Sequence, residues 1–395
     1  MTPLVYQENY PHSSLKLVVH TSKLPEHLSK NTESFVEYLI NLRNWFTSFV
    51  LNCIFARMKI EDIQKVKKLL SDPQKIVIIP HKNPDGDAIG SCLGLHHYVT
   101  SLGHQSVVVS PNDYPDFLKW MPGTDTILNF EKKNSEALQA INEATVIFTL
   151  DFNDLGRIGQ MQEVVSASKA TFIMIDHHQS PDSYAAITYS DVNMSSTCQM
   201  VYNFIRFLGD TDKINAEISN CIYAGIVTDT GSFKYSSTTG ETHRVVADLI
   251  DKGARNTEIH NSIYDTNTPG RLHLLGCALK NMVILQDYKT AYITLSQEEL
   301  DTNHFKKGDT EGFVNYGLTL KDIRFAVIFI ENRDEGIVKI SFRSEGDFSV
   351  NEFARNHFDG GGHTNAAGGK SNRSLQETTE YFLSLLDSYK EQLIA

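Results

Sequence analysis

Thr171-Phe172-Ile173-Met174-Ile175-Asp176-His177-His178 is an apolar, β-prone run that ends abruptly in one carboxylate and two imidazoles. A buried strand has no use for three polar groups at its tip unless something charged meets them there. Taken alone, the stretch also fits a strand leaving the core through a polar loop, its histidines bonded to nearby carbonyls. The neighbouring segments carry the decision. Residues 75–79, 106–109 and 145–150 are similar runs, and residues 221–228 close the series, although their first half also reads as helix. All are continuously apolar rather than alternating, which predicts strands buried on both faces. Ile60, Ile63, Val66, Leu69 and Leu70 recur at helical spacing in residues 60–70, and residues 89–102 form a second helical stretch stopped by Gly103. The expected fold is α/β, a mainly parallel open sheet with helices on both faces.

Ligands of such sheets bind outside the carboxyl ends of the strands. Polar residues stand at those ends here. His81-Lys82-Asn83-Pro84-Asp85-Gly86-Asp87 follows the first run, Asp151 follows residues 146–150, Asp176-His177-His178 follows the next, and Asp229 follows Ile226-Val227-Thr228. Singly, each has an ordinary explanation: an Asp after a strand is commonly a helix N-cap, and Pro84-Asp85-Gly86 is a turn sequence. Four carboxylates gathered on one edge would repel strongly in a partly dry cleft, and divalent cations hold them ionised. Carboxylate and imidazole without thiolate suit manganese, with magnesium or cobalt as substitutes, and no structural zinc site is implied. The set suffices for two ions sharing one carboxylate, roughly 3.5–4 Å apart, an arrangement that attacks phosphate esters.

Composition bounds the rest. The 395 residues allow two domains, and 41% hydrophobic with 21% charged residues is ordinary for a globular chain. A formal net charge of −12 excludes a protein that coats long nucleic acid through a basic surface, but not a small anion held in a local pocket. Five scattered cysteines without CxxC spacing read as reduced core residues of a cytoplasmic protein. Residues 1–57 form an N-terminal extension. Residues 1–30 have little periodicity and read as poorly ordered, and residues 36–57 are apolar but interrupted by Asn41, Arg43, Asn44 and Asn52, which makes a poor membrane span. Those residues suit an amphipathic helix packed on the body or on a partner; the favoured alternative is that Met58, where a conventional domain opening begins, is the physiological start and residues 1–57 are not native. Residues 58–245 are assigned to a catalytic metal-binding domain, 246–280 to a helical linker broken by Pro269 and Gly270, and 281–395 to a smaller α+β domain. That last domain has strands near 290–295, 323–331 and 336–342, and capping-box signals at Ser349 with Glu352 and Ser374 with Glu377.

Taken in order, these motifs resemble the DHH phosphoesterase superfamily. His81-x-x-x-Asp85-x-Asp87 is similar to its first motif, Asp151 to its second, Asp176-His177-His178 to its third and Asp229 to its fourth. Gly360-Gly361-Gly362-His363-Thr364-Asn365-Ala366-Ala367-Gly368 resembles the DHHA1 substrate-binding module. The resemblance implies His81, Asp85 and Asp151 around one manganese, and Asp87, Asp151, His177 and Asp229 around the other, with Asp151 bridging. It also implies that Asp176 supports the His177 imidazole and that His178 faces the substrate. Gly360, Gly361 and Gly362 would approach a ligand closely and form an anion-binding nest, with His363 beside them. Arg343 is a candidate fork for a terminal phosphate. Arg157, Lys234 and the stretch 311–315 are weaker candidates for lining the cleft. The compact architecture is most similar to the bifunctional enzymes that degrade very short oligoribonucleotides and dephosphorylate 3′-phosphoadenosine 5′-phosphate. Cyclic or linear dinucleotide hydrolysis is the alternative enzyme, and a non-catalytic nucleotide sensor the alternative class. The partners expected are short RNA or a nucleotide, with no long duplex and no membrane. Homodimerisation is left open.

Overall fold

The computed structural model describes Leu4–Tyr10, Ser13–Val19 and residues 58–394. Strands β1 (Leu4–Tyr10) and β2 (Ser13–Val19) pair antiparallel within the N-terminal unit Met1–Arg57, where the sequence shows little periodicity. The amphipathic helix expected over residues 36–57 lies outside the described residues, as does Cys53. From Met58 onward the chain forms a separate compact unit built on two six-stranded sheets.

The first sheet contains β3 (Lys75–Pro80), β4 (Gln105–Ser110), β5 (Leu128–Asn129), β6 (Val146–Leu150), β7 (Thr171–Asp176) and β8 (Ile187–Ser190), in the order β5-β4-β3-β6-β7-β8. Every neighbouring pair is parallel. Chain order reverses between β3 and β6, so the crevice beyond their carboxyl ends is the topological switch point where ligands bind in open α/β sheets. The continuously apolar strands are buried on both faces. Ile76, Ile78, Phe148, Leu150, Ile173 and Ile175 join one core cluster, while Val77, Ile79 and Ile147 join another. That alternation is the pleat itself, with helices supplying the far wall of each layer.

Residues 221–228 are not a strand. They belong to a helix, Ala216–Asp229, whose N-cap Asn215 accepts a hydrogen bond from the Ile218 amide at 3.0 Å. The apolar run is continuous because the helix is buried on nearly every side, and periodicity cannot separate that case from a buried strand. It lies against the Gly86–Ser101 helix, and glycines set how closely the two approach. A Cβ on Gly86 would stand 2.4 Å from the Thr228 Oγ1, and one on Gly90 would stand 2.6 Å from the Cys221 carbonyl oxygen.

The second sheet contains β9 (Val283–Leu285), β10 (Thr290–Leu295), β11 (Phe325–Asn332), β12 (Ile337–Ser344), β13 (Gly361–His363) and β14 (Ala366–Ser371), in the order β13-β14-β12-β11-β10-β9. Only β10 and β11 pair in parallel. One face carries a phenylalanine-rich core that includes Phe325, Phe342, Phe353 and Phe382, packed under the Val350–His357 and Leu375–Ile394 helices. Ser349 and Ser374 cap these helices as their sequences predict. The connector divides between the sheets. Val245 and Leu249 of the Gly240–Asp251 helix and Ile259 of the Asn256–Tyr264 helix join the core of the first, whereas Leu274 and Ala278 of the Pro269–Lys280 helix join the second. The chain therefore crosses between sheets at residues 265–268. No helix among the described residues is long and apolar enough to cross a membrane.

Candidate metal centre and cleft

Asp151 ends β6 at the switch point and adopts a left-handed backbone (φ 64°), unfavourable for a residue with a Cβ. Its amide donates to the Ile175 carbonyl at 3.2 Å, and its carboxylate accepts from the Thr197 hydroxyl at 2.9 Å. Strain at a buried carboxylate, held by bonds on both sides, is a feature that folds keep at functional sites. Asp85 caps the Gly86–Ser101 helix, accepting from the Asp87 and Ala88 amides at 3.1 Å each. Asp87, in the first turn of that helix, points at the start of the Thr197–Leu208 helix. Its two oxygens accept from the Thr197 and Cys198 amides at 2.6 and 2.8 Å. A helix N-terminus stabilises that carboxylate through its free amides.

The imidazoles are held from behind. His81 Nδ1 lies 2.9 Å from the Lys82 carbonyl and His177 Nδ1 lies 3.2 Å from the Met194 carbonyl. A carbonyl accepts only from a protonated nitrogen, so each ring keeps a proton on Nδ1 and turns Nε2 toward the carboxylates, to which the charged ring donates; that Nε2 proton would be displaced on metal binding. His81 Nε2 stands 3.5 Å from Asp151, and His177 Nε2 stands 3.5, 3.6 and 3.8 Å from Asp151, Asp229 and Asp87. Asp229 arrives from the end of a helix, not from a strand tip. Four overlapping groups of candidate metal donors result among the described residues: His81 with Asp85 and Asp151, and Asp87 with His177 and Asp229, hold the expected ligands, while Asp151 with Asp176 and His178, and His177 with His178 and His363, lie beside them. Asp151 adjoins both groups of expected ligands.

The electrostatics of this cluster favour added positive charge. Burial, then the charges of Asp151 and Asp229, push the Asp87 carboxyl well above its ordinary range. Burial and Asp151 push Asp229 up to about 6, with His177 opposing. Burial also opposes ionisation of Asp151, yet bonds from His177 and His81 hold its carboxyl well below the usual range. Hard oxygen donors and oriented imidazoles, short of neutralising cations, are a donor set that fits divalent metal ions.

Asp176 supports a different ring from the one expected. Its carboxylate accepts from the His178 amide at 3.0 Å and stands 2.7 Å from His178 Nδ1, while His177 takes its orienting bond from Met194. His178 is thereby fixed at the rim. His363 of β13 stacks on it at 4.4 Å between ring centroids and stands 4.8 Å from His177. Burial, then His178 and His177, push the His363 imidazolium far out of favour, so the ring is neutral. The two sheets thus meet in one site.

The glycines of the second sheet serve the backbone. Gly361 and Gly362 sit in β13, paired with β14, and the Gly362 amide donates to Asn351 at 2.9 Å. A Cβ on Gly360 would stand 2.0 Å from the Gly368 carbonyl oxygen, so hairpin closure demands glycine there. A three-amide nest is not formed, because the Gly362 amide is already bonded. Arg343 donates to the Phe342 carbonyl at 2.9 Å, and its remaining donors have no partner among the described residues. Arg157 and Lys234 are exposed. Sequence reading missed Thr197, Cys198 and Gln179. Gln179 follows the His-His pair and bridges the halves, bonding Thr364 and Asn351 at 3.3 Å each.

Comparison with known proteins agrees with this geometry. Residues 75–226 match the model of the DHH family, N-terminal domain, and residues 289–392 match the DHHA1 domain. The bifunctional oligoribonuclease and PAP phosphatase of Thermus thermophilus is 30% identical over 311 residues, spanning 78% of this chain and 87% of that protein. The protein of the same description from Bacillus subtilis is 28% identical, over 74% and 88% of the two chains. The crystal structure of an exopolyphosphatase-related protein from Bacteroides fragilis superposes with a TM-score of 0.83 at 40% identity, covering 86% of this chain and 99% of that one.

Proposed function

The chain belongs to the DHH phosphoesterase family, and from that premise we propose that it is a two-metal hydrolase of very short oligoribonucleotides. We further propose that it removes a phosphate from 3′-phosphoadenosine 5′-phosphate. The observation that carries the reading is the convergence of two donor groups on Asp151, a buried carboxylate with strained backbone. His81, Asp85 and Asp151 would hold one ion, and Asp87, Asp151, His177 and Asp229 the other, with manganese the metal that suits these donors. When bound, such a pair supplies an activated water and positive charge for the phosphoryl oxygens.

The chain's own residues do the rest. Carbonyl bonds at Nδ1 of His81 and His177 hold both rings with Nε2 facing the carboxylates, so binding would displace the Nε2 proton without turning the ring. Asp176 holds the His178 ring at the rim, where it can bond a phosphate oxygen or give a proton to the departing oxygen. His363, neutral and stacked on His178, presents the second sheet to the nucleotide. Arg343 offers spare donors to a phosphate. Buried, unbridged cysteines at positions 92, 198 and 221 support a reducing, cytoplasmic setting.

The test is a substrate panel. Manganese-loaded protein is expected to release mononucleotides from RNA of two to four nucleotides and to lose that activity on chelation. Turnover of cyclic dinucleotides in preference to linear RNA would move the assignment to the alternative enzyme. Absence of turnover on every phosphoester would leave a nucleotide sensor.

A further inference from the structure

A cavity of about 750 Å³ opens where the chain crosses between the sheets. Thr228 and Gly231 in its wall flank Asp229, so it adjoins the metal-donor cluster on the Asp229 side, whereas β13 meets that cluster at His177 and His178. Its lining combines aromatic surface with charges of both signs. Phe117, Tyr264 and Tyr316 supply aromatic surface, and both tyrosines are 41% exposed despite lying in a concavity. Arg271, Lys306, Lys307 and Arg343 supply positive charge and outnumber the carboxylates Asp116, Asp309 and Glu311, of which burial pushes Glu311 up to about 7.

The wall is built rather than incidental. The Tyr264 hydroxyl donates to the Val227 carbonyl at 3.3 Å, which ties this ring to the helix that delivers Asp229. The Arg271 guanidinium lies 5.4 Å from the centre of the Phe313 ring and donates to the Glu311 carbonyl at 3.0 Å. Arg343 retains donors without a hydrogen-bond partner among the described residues. Aromatic faces interleaved with fixed cations accept stacked bases and the phosphates between them, with little regard to base identity. The volume falls within the roughly 300–1,000 Å³ typical of small-ligand sites, enough for one or two nucleotides and too little for a longer strand.

We propose that this chamber is a length-limiting subsite. It holds the nucleotides of a short RNA that lie beyond the scissile phosphate from the β13 side, with bases on Phe117, Tyr264 and Tyr316 and phosphates at Arg271, Lys306 and Arg343. The inference rests on the oligonucleotide reading above and adds where the remainder of the chain goes and why few nucleotides fit. The stretch 311–315, a weak cleft candidate in the sequence, becomes part of this wall.

Binding tests it separately from catalysis. Leu272 lines the chamber and is 51% exposed, so Leu272→Trp fills the space from a surface position, and Lys306→Glu reverses an exposed charge. A trinucleotide with phosphorothioate linkages is titrated into manganese-loaded protein and followed by fluorescence anisotropy. Wild type is expected to bind it, each variant about tenfold or more weakly, and a hexanucleotide to bind wild type about tenfold more weakly than the trinucleotide. Variants within about twofold of wild type, or no binding by wild type, would overturn the chamber. Equal affinity for the two lengths would overturn the limit on length. Variant-sensitive binding without any hydrolysis of unmodified RNA would sink the proposed activity and leave the chamber standing.

Discussion

The bonds that position Asp87, Asp151 and Asp176 run between 2.6 and 3.2 Å and are buried or partly buried, whereas those carrying the second sheet onto the same site span a similar range of lengths but are mostly exposed. Gln179 reaches Thr364 and Asn351 at 3.3 Å each, and Asn315 reaches the Tyr235 hydroxyl at 3.2 Å. Lys307 makes shorter contacts, 2.9 Å to Asn83 and 2.6 Å to the Asp113 carbonyl, but to exposed partners. A buried polar group left unpaired costs roughly 1–3 kcal/mol, while an exposed bond exchanges with water at little net cost. The first sheet therefore holds its donors in one arrangement through bonds that are costly to break, whereas the second is tied to it mostly by bonds that water can replace. That division suits an enzyme that needs fixed charges for chemistry and an adjustable grip for short substrates.

The sharpest way to break this contrast is at Asp151. Asp151→Asn keeps size and the Thr197 bond but removes the charge that lies beside both donor groups and is proposed to bridge them. Activity on trinucleotide RNA is expected to fall at least about 1,000-fold, or ~4 kcal/mol of transition-state stabilisation, with metal content per chain reduced in parallel. Full metal content with small activity loss would show that the two groups do not depend on a common carboxylate. Asp176→Asn comes next. Its carboxylate bonds the His178 amide and ring rather than His177, so the substitution loosens His178, and kcat is expected to fall about 10–100-fold with metal content unchanged. Loss of metal instead would return Asp176 to the support of His177.

What the sequence made legible follows the same contrast. Strands β3, β6 and β7 could be placed because they are buried on both faces and end at charged residues, so position and chemistry are written together. Asp229 was found as a site residue although its helix read as a strand. The carboxylate is visible after any apolar run, but a fully buried helix has no polar face to give a period. Thr197 and Cys198 were invisible because they act through backbone amides, which any residue type supplies. The pairing of Asp176 with His178 rather than His177 depends on where Met194 places its carbonyl, a tertiary fact with no local signature. In the second sheet, Gly360 to Gly362 marked a special backbone correctly, yet a nest and a tight hairpin both call for glycine.

On the adjustable side the expected effects shrink and move from kcat to KM. His363→Ala removes a ring stacked 4.4 Å from His178 without removing any bond within the first sheet. KM for trinucleotide RNA is expected to rise about tenfold, equivalent to ~1.4 kcal/mol of binding, with kcat within about threefold. A collapse of kcat at constant KM would instead make His363 a participant in the chemistry.

The smallest effect is expected at Gln179, and it tests the contrast most directly because this one side chain spans both regions. Its amide donates to Thr364 and its oxygen accepts from Asn351, which in turn holds the Gly362 amide, so it reaches β13 by two routes. The bonds are long and the residue is exposed, so Gln179→Ala is expected to raise KM about two- to fivefold and leave kcat unchanged. Because Asn351 still holds Gly362 at 2.9 Å, the hairpin itself should remain folded, and amide hydrogen exchange should quicken only where the halves meet. A loss above about fifty-fold would mean that the second sheet is as firmly fixed as the first, since no exposed pair of bonds of this length carries that much energy. Faster exchange throughout β13 and β14 would place the effect in hairpin stability rather than in the meeting of the two sheets.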